Sequence, residues 1–141
     1  HGFMTKRSTN TNLFQYVDDV AVIVDNSGKV DAIYTDFSKA FDKVKHSILL
    51  EKLHQFGIEV PLLRWCSSYL NQRPSQVVID GHSSNPFIAS SGVPQGSILG
   101  PLFFNIFINE ITNLFKYSTC YLFADDLKIM RVINDVNDAE L

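Results

Sequence analysis

Nine residues toward the end of the chain constrain its fold more than any others: Tyr121-Leu122-Phe123-Ala124-Asp125-Asp126-Leu127-Lys128-Ile129. Apolar residues on both sides read as two short β-strands, interrupted only by adjacent aspartates. Asp tolerates the backbone of a two-residue turn better than most residues, so Asp125-Asp126 reads as a hairpin tip. Two like charges at the end of an apolar hairpin are costly unless a cation joins them. A divalent metal suits the position, because Mg²⁺ prefers hard oxygen ligands and is commonly held by one or two carboxylates plus substrate phosphates. Taken alone, such a pair is more often a solvated turn. Its meaning depends on whether the chain supplies a partner carboxylate and a cradle for substrate.

The chain can build such a site. Its 141 residues are the size of one domain, and 45% hydrophobic content with eleven Phe implies a folded interior rather than disorder. A net charge of −3 gives no basic signature, so nucleic-acid binding would be local or come from parts beyond these residues. Cys66 and Cys120 have no ligand-like spacing and suit reduced thiols in an intracellular protein. No apolar run approaches the length of a membrane span, and no membrane partner is expected. The start at His1 and the acidic end at Leu141 lead us to expect a piece of a longer protein.

Along the chain, Leu13, Tyr16/Val17, Val20 and Ile23/Val24 recur at helical spacing and stop at Asp25-Asn26-Ser27-Gly28. This helix contains a second aspartate pair, Asp18-Asp19, which the period assigns to a solvated polar face. Val30–Thr35 is a β-prone run delivering Asp36 at its end. A helix over 46–56 carries Ile48, Leu49, Leu53 and Phe56, and Gly57 stops it. The next opens with Pro61 and carries Leu62, Leu63, Cys66, Tyr69 and Leu70. Gln76–Asp80 and Pro86–Ala89 read as a hairpin around 81–84. After the turn-rich Ser90–Ser97 loop, Gly100-Pro101 starts a helix over 101–115, apolar enough to be buried against a sheet. One α+β domain, residues 1–141, is the economical reading.

Three elements therefore stand in order: a strand ending in Asp36, a Gly/Pro/Gln loop entering a buried helix, and a hairpin tipped by Asp125-Asp126. Carboxylates at strand ends of one sheet can hold two metals that clamp the attacking and leaving oxygens of an in-line phosphoryl displacement. The wording of these segments is specific. Asp36-Phe37-Ser38-Lys39-Ala40-Phe41-Asp42-Lys43-Val44 resembles motif A of reverse transcriptases. Ser91–Phe104, with Gly92-Val93-Pro94-Gln95-Gly96-Ser97 at its front, resembles motif B, and Phe123-Ala124-Asp125-Asp126 resembles motif C. The chain is most similar to reverse transcriptases of non-LTR (LINE-type, jockey-like) retrotransposons, and the opening His1-Gly2-Phe3 with Arg7-Ser8-Thr9 resembles their segment before motif A. In that family the paired aspartates follow motif B, which rules out Asp18-Asp19 as motif C.

The resemblance implies a polymerase palm, a small antiparallel sheet packed on helices, with part of the fingers. It implies an RNA-directed DNA polymerase taking an RNA template, a DNA primer and deoxynucleoside triphosphates, with two Mg²⁺ (or Mn²⁺), acting in the nucleus. Asp36, Asp125 and Asp126 match its metal-binding carboxylates, Asp125 more firmly than Asp126. Phe37, Phe41, Gln95 and Gly96 match nucleotide-binding positions. Phe41, five residues after Asp36, stands at the steric gate, where a ring under the sugar would clash with a 2′-hydroxyl. Gly96 allows close backbone approach, and Gln95 offers both donor and acceptor. Asp42 reads as a structural cap, and Trp65 and Tyr69 as core rather than a base-stacking surface. Lys6 departs from a position that is often Gly in the family. With the thumb and upstream fingers absent, these residues alone are expected to be inactive. The rival reading is a non-catalytic scaffold that keeps the fold, and the clustered acids argue against it. An RNA-directed RNA polymerase is disfavoured by Phe41 and by Ala124.

Overall fold

A computed structural model of the chain describes residue 2 and residues 4–134. His1 and Phe3 of the opening segment, and everything after Asn134, lie outside the described residues. The class is α+β, and the chain's contacts gather into two units, residues 1–38 with 109–141, and residues 39–108.

The first unit begins with helix α1, Thr9–Asp25. Ser8 starts it through a capping box: its hydroxyl accepts from Thr11 N–H at 3.1 Å, and Thr11 Oγ1 accepts from Ser8 N–H at 2.8 Å. The end is equally local. The Asn26 side-chain amide donates to Val22 O at 2.7 Å, and Gly28 N–H donates to Ile23 O at 2.9 Å. Gly28 lies so close to Ile23 that a Cβ would stand 2.7 Å from its Cγ2. The chain then enters strand β1, Lys29–Asp36.

The inward face of α1 takes in only part of the set its apolar spacing predicts, with Asn12 and Asp19 added. Asn12 is buried and Tyr16, Asp19, Val20 and Ile23 are half-buried, whereas Leu13, Val17 and Val24 are about half exposed. Asp19 is therefore not on a solvated face. Its carboxylate accepts a 2.6 Å hydrogen bond from the Tyr121 hydroxyl. Only Asp18 is exposed as expected.

The second unit is built on helices α2, His46–Gln55, and α3, Val60–Leu70, followed by short strands β2, Arg73–Ser75, β3, Val78–Ile79, β4, His82–Ser83, and β5, Phe87–Ala89. Helix α4, Leu99–Ile108, closes it. Val44, Leu49, Leu53, Cys66, Leu70, Val93, Phe103 and Phe104 form one buried cluster. Phe56 and Leu62, expected inside, are more than half exposed.

Two expectations need correction here. The 76–89 hairpin is in fact two ladders: β3 pairs with β4, and β5 pairs with β2. The inner turn is Asp80-Gly81, both at positive φ (49° and 79°), the conformation a two-residue hairpin demands. The helix expected over 101–115 opens at Leu99, where Ser97 Oγ accepts from Gly100 N–H at 2.9 Å, and it packs on α2 rather than on a sheet of its own unit. It gives way at Asn109 to a 3₁₀ turn, Asn109–Leu114, in which Thr112 Oγ1 donates to Asn109 O at 3.1 Å. Such side-chain bonds to nearby carbonyls compete with the α-helical ladder.

In the first unit the chain then forms strands β6, Thr119–Phe123, and β7, Asp126–Ile133. With β1 they make one antiparallel sheet in the order β1-β7-β6.

Candidate active site

The register of this sheet brings the acids together. Asp36, the last residue of β1, is the direct cross-strand partner of Asp126, the first residue of β7, and Asp126 also faces Phe123 at the end of β6. Direct partners in an antiparallel ladder project from the same face. Two residues further along, Tyr34, Lys128 and Tyr121 line up in the same way. The hairpin tip itself is Ala124-Asp125 rather than Asp125-Asp126. Ala124 is buried at φ 50°, and Asp126 already belongs to the strand. Gly2 backs this tip so closely that a Cβ there would run into the Ala124 backbone.

The shared face is the one α1 covers. The Tyr16 ring meets Tyr34 and Tyr121 edge-on, with centroids 6.1 and 5.3 Å away, and the Tyr34 hydroxyl donates to that of Tyr16 at 2.9 Å. Lys128 Nζ rests 5.4 Å from the Tyr16 centroid and 5.9 Å from that of Tyr34, within cation–π range. Burial, with the hydrogen bond to Asp19, pushes the Tyr121 phenol well above its ordinary value. Between the first turn of α1 and the sheet lies a cavity of about 500 Å³, with Asn12, Leu13, Asp36, Phe123, Asp126 and Lys128 among its lining. That volume is within the usual range for small-molecule sites.

Among the described residues, no group of three or more His, Cys, Asp or Glu is placed to hold a metal ion. The donor set is the facing pair Asp36 and Asp126, with Asp125 adjacent in the turn. Two carboxylates opposite one another repel, and their hard oxygens are the donors Mg²⁺ takes when phosphates and water complete its shell. The residues fit the metal that the acids suggest. Phe37, next after Asp36, is half-buried.

The remaining predicted residues belong to the second unit, where the end of the motif A segment and the motif B loop are laced together. Gly92 N–H donates to Val44 O at 2.8 Å, and Val93 N–H donates to Phe41 O at 2.9 Å. Ser91 Oγ donates to Asp42 O at 2.8 Å, and Gln95 Nε2 donates to Asp42 Oδ1 at 3.0 Å. Gly92 has φ 87°, and a Cβ there would lie 2.9 Å from the Asp42 backbone, so only glycine fits. His46 is buried. Its Nε2 lies 2.8 Å from Gly92 O and its Nδ1 2.9 Å from Asn71 Oδ1.

Asp42 is thus no helix cap; its carboxylate holds Gln95. Phe41 is half-buried with its ring stacked on Phe104, centroids 4.3 Å apart. Gly96, at φ 79°, has open space around it. Trp65 stacks on Tyr69 but stays half exposed. Sequence reasoning missed Asn12, Lys128 and His46. Asn12 and Lys128 were legible only as helical and strand neighbours of Tyr16 and Asp126, and nothing in the spacing marks His46.

A three-stranded antiparallel sheet with acids at its shared strand end, accompanied by helices, defines a polymerase-palm type of α+β fold. The family model for "Reverse transcriptase (RNA-dependent DNA polymerase)" matches residues 2–136, and the chain belongs to that family. It is 28% identical over 145 residues, 98% of its length, to a probable RNA-directed DNA polymerase from transposon BS of Drosophila melanogaster. To the RNA-directed DNA polymerase from mobile element jockey of the same species it is 31% identical over 111 residues, 78% of the chain. It spans only 16% and 12% of those relatives' lengths. Its fold is similar to telomerase from Candida albicans, solved with the TWJ fragment of telomeric RNA. The TM-score is 0.67 at 14% identity, over 95% of this chain and 27% of that one.

Proposed function

We propose that this chain is the catalytic palm portion of an RNA-directed DNA polymerase, acting within a longer protein of a non-LTR retrotransposon. The observation that carries the reading is the direct pairing of Asp36 with Asp126 at one end of the sheet, with Asp125 in the adjoining turn. Family membership across residues 2–136 supports it. Asp36 and Asp126, with Asp125, would hold divalent metal ions, Mg²⁺ foremost and Mn²⁺ as a substitute. Bound metal supplies charge neutralisation at the attacking and leaving oxygens of phosphoryl transfer.

The chain's own residues do the positioning. The sheet register sets the two aspartates directly opposite one another, so that both side chains leave the same face before substrate arrives. Phe41 would discriminate against ribonucleotides by bulk, and Gln95 with Gly96 would contact the nucleic acid. The substrates are deoxynucleoside triphosphates, a DNA primer and an RNA template. The proposed activity is that of the longer protein, with the nucleus as its proposed site of action.

The test is extension of a DNA primer on an RNA template by a polymerase carrying this chain. Extension should require Mg²⁺ and vanish with Asp125→Asn. Survival of activity in that variant would remove Asp125 from the site, and no extension by the unsubstituted protein would favour the scaffold reading.

A further inference from the structure

Gln95 is held by a bond that leaves it only one polar role. A glutamine amide offers a donor and an acceptor and can ordinarily swap them by rotating. Here Nε2 donates to Asp42 Oδ1 at 3.0 Å. A carboxylate can only accept, so the nitrogen must face Asp42 and the planar amide turns its oxygen away. The Asp42 backbone is itself fixed. Its N–H donates to Lys39 O at 3.0 Å, its carbonyl accepts from Ser91 Oγ, and the Gly92 backbone lies against it with no room for a side chain. His46, from α2, secures the same loop through Gly92 O. Gln95 is thus tied to an exposed carboxylate carried on an anchored backbone.

We propose that Asp42 is a positioning residue that orients the Gln95 amide, so that Gln95 presents an acceptor to a hydrogen-bond donor, a hydroxyl or amino group, on the bound nucleic acid. The inference rests on the reading of Gln95 as a nucleic-acid contact and narrows it from either polarity to one. The donor can belong to the incoming nucleotide or to the template strand. Asp42 touches neither in this account; it acts through Gln95.

Exchanging the two partners tests this in a polymerase carrying the chain, with nucleotide KM and template Kd measured separately from kcat. Asp42→Ala should raise one of the two constants about tenfold, the value of one well-placed hydrogen bond, with little change in kcat. A rise in KM assigns the donor to the nucleotide, and a rise in Kd assigns it to the template. Gln95→Glu sets two carboxylates against each other and should be worse. Adding Asp42→Asn to it restores a donor–acceptor pair with roles exchanged and an acceptor still facing out, so binding should recover to within about threefold of the unsubstituted protein.

In a Gln95→Ala background, Asp42→Ala should add nothing. Equal losses in both backgrounds, no rescue by the exchange, or no change in either constant would each overturn the proposal. NMR separates it from the functional reading: the Gln95 side-chain amide protons should be protected from exchange, and protection should be lost in Asp42→Ala. If protection holds but the unsubstituted protein extends no primer, the polymerase reading has failed and this role falls with it. If the enzyme works but protection is absent, only this inference fails.

Discussion

The acid end of the sheet and the laced loop of the second unit are opposite kinds of construction. At the sheet end, Asp36 faces Asp126 in register, a like-charged pair that opposes folding rather than aiding it. Around Gly92, by contrast, the carbonyls of Phe41, Asp42 and Val44, the Asp42 carboxylate and the His46 ring are each hydrogen-bonded, and the glycine packs against the Asp42 backbone. The first region sets like charges together, and under the proposed function a divalent cation would join them. The second is complete before any ligand arrives.

The largest effect should come from the acid end of the sheet. Asp36→Asn or Asp126→Asn should lower primer extension by at least about 10²–10³-fold. Metal-free stability should hold or rise by up to about 1 kcal/mol, because the cross-strand repulsion is gone. If denaturation shows both variants strongly destabilised, the acids are structural and the contrast collapses.

Gly92→Ala probes the laced loop. A Cβ at φ 87° against the Asp42 backbone should cost about 1–3 kcal/mol in urea denaturation. A neutral outcome would mean that the loop is not tied as described.

Phe41→Val bears on both properties of one ring. Losing the stack on Phe104 should cost about 0.5–1.5 kcal/mol beyond lost burial, and discrimination against ribonucleotides should fall in an active enzyme. Discrimination that stayed unchanged would reduce Phe41 to a core residue.

The smallest change is expected at Tyr121. Its phenol is held above its ordinary value, first by burial and then by Asp19, so the folded state keeps a proton that the unfolded state releases above about pH 10. The stabilisation is therefore complete below pH 10 and lost as pH rises beyond it. Tyr121→Phe should cost about 1 kcal/mol at neutral pH and flatten that alkaline loss. An unchanged alkaline limb would assign the effect to another group.

Much of this was legible in the order of residues, for local reasons. β1 and its terminal Asp36, the stop of α1 before Gly28, and Pro61 in the first turn of α3 each depend on neighbours within a turn or two. What failed depends on partners far along the chain. The apolar period of α1 included Leu13 and Val17, which stay half exposed, and it put Asp19 on the solvated side, but Tyr121 draws Asp19 inward. Pro86–Ala89 was paired with its neighbour, whereas its partner is Arg73–Ser75; the Asp80-Gly81 turn signal was present and overlooked. At the site, the motif named the acids, but only register could show that Asp126 is the one opposite Asp36. The tie between Asp42 and Gln95 spans residues with no shared pattern and had no sequence signal at all.

The central claim is that the carboxylates of the sheet end, and not merely paired aspartates, carry the chemistry. Primer extension on an RNA template, measured side by side for Asp36→Asn, Asp126→Asn and the look-alike Asp18→Asn, addresses it most directly. Extension should be lost in the first two and unchanged in the third, whose residue is exposed on α1. Extension surviving in Asp36→Asn, or lost in Asp18→Asn, would contradict it.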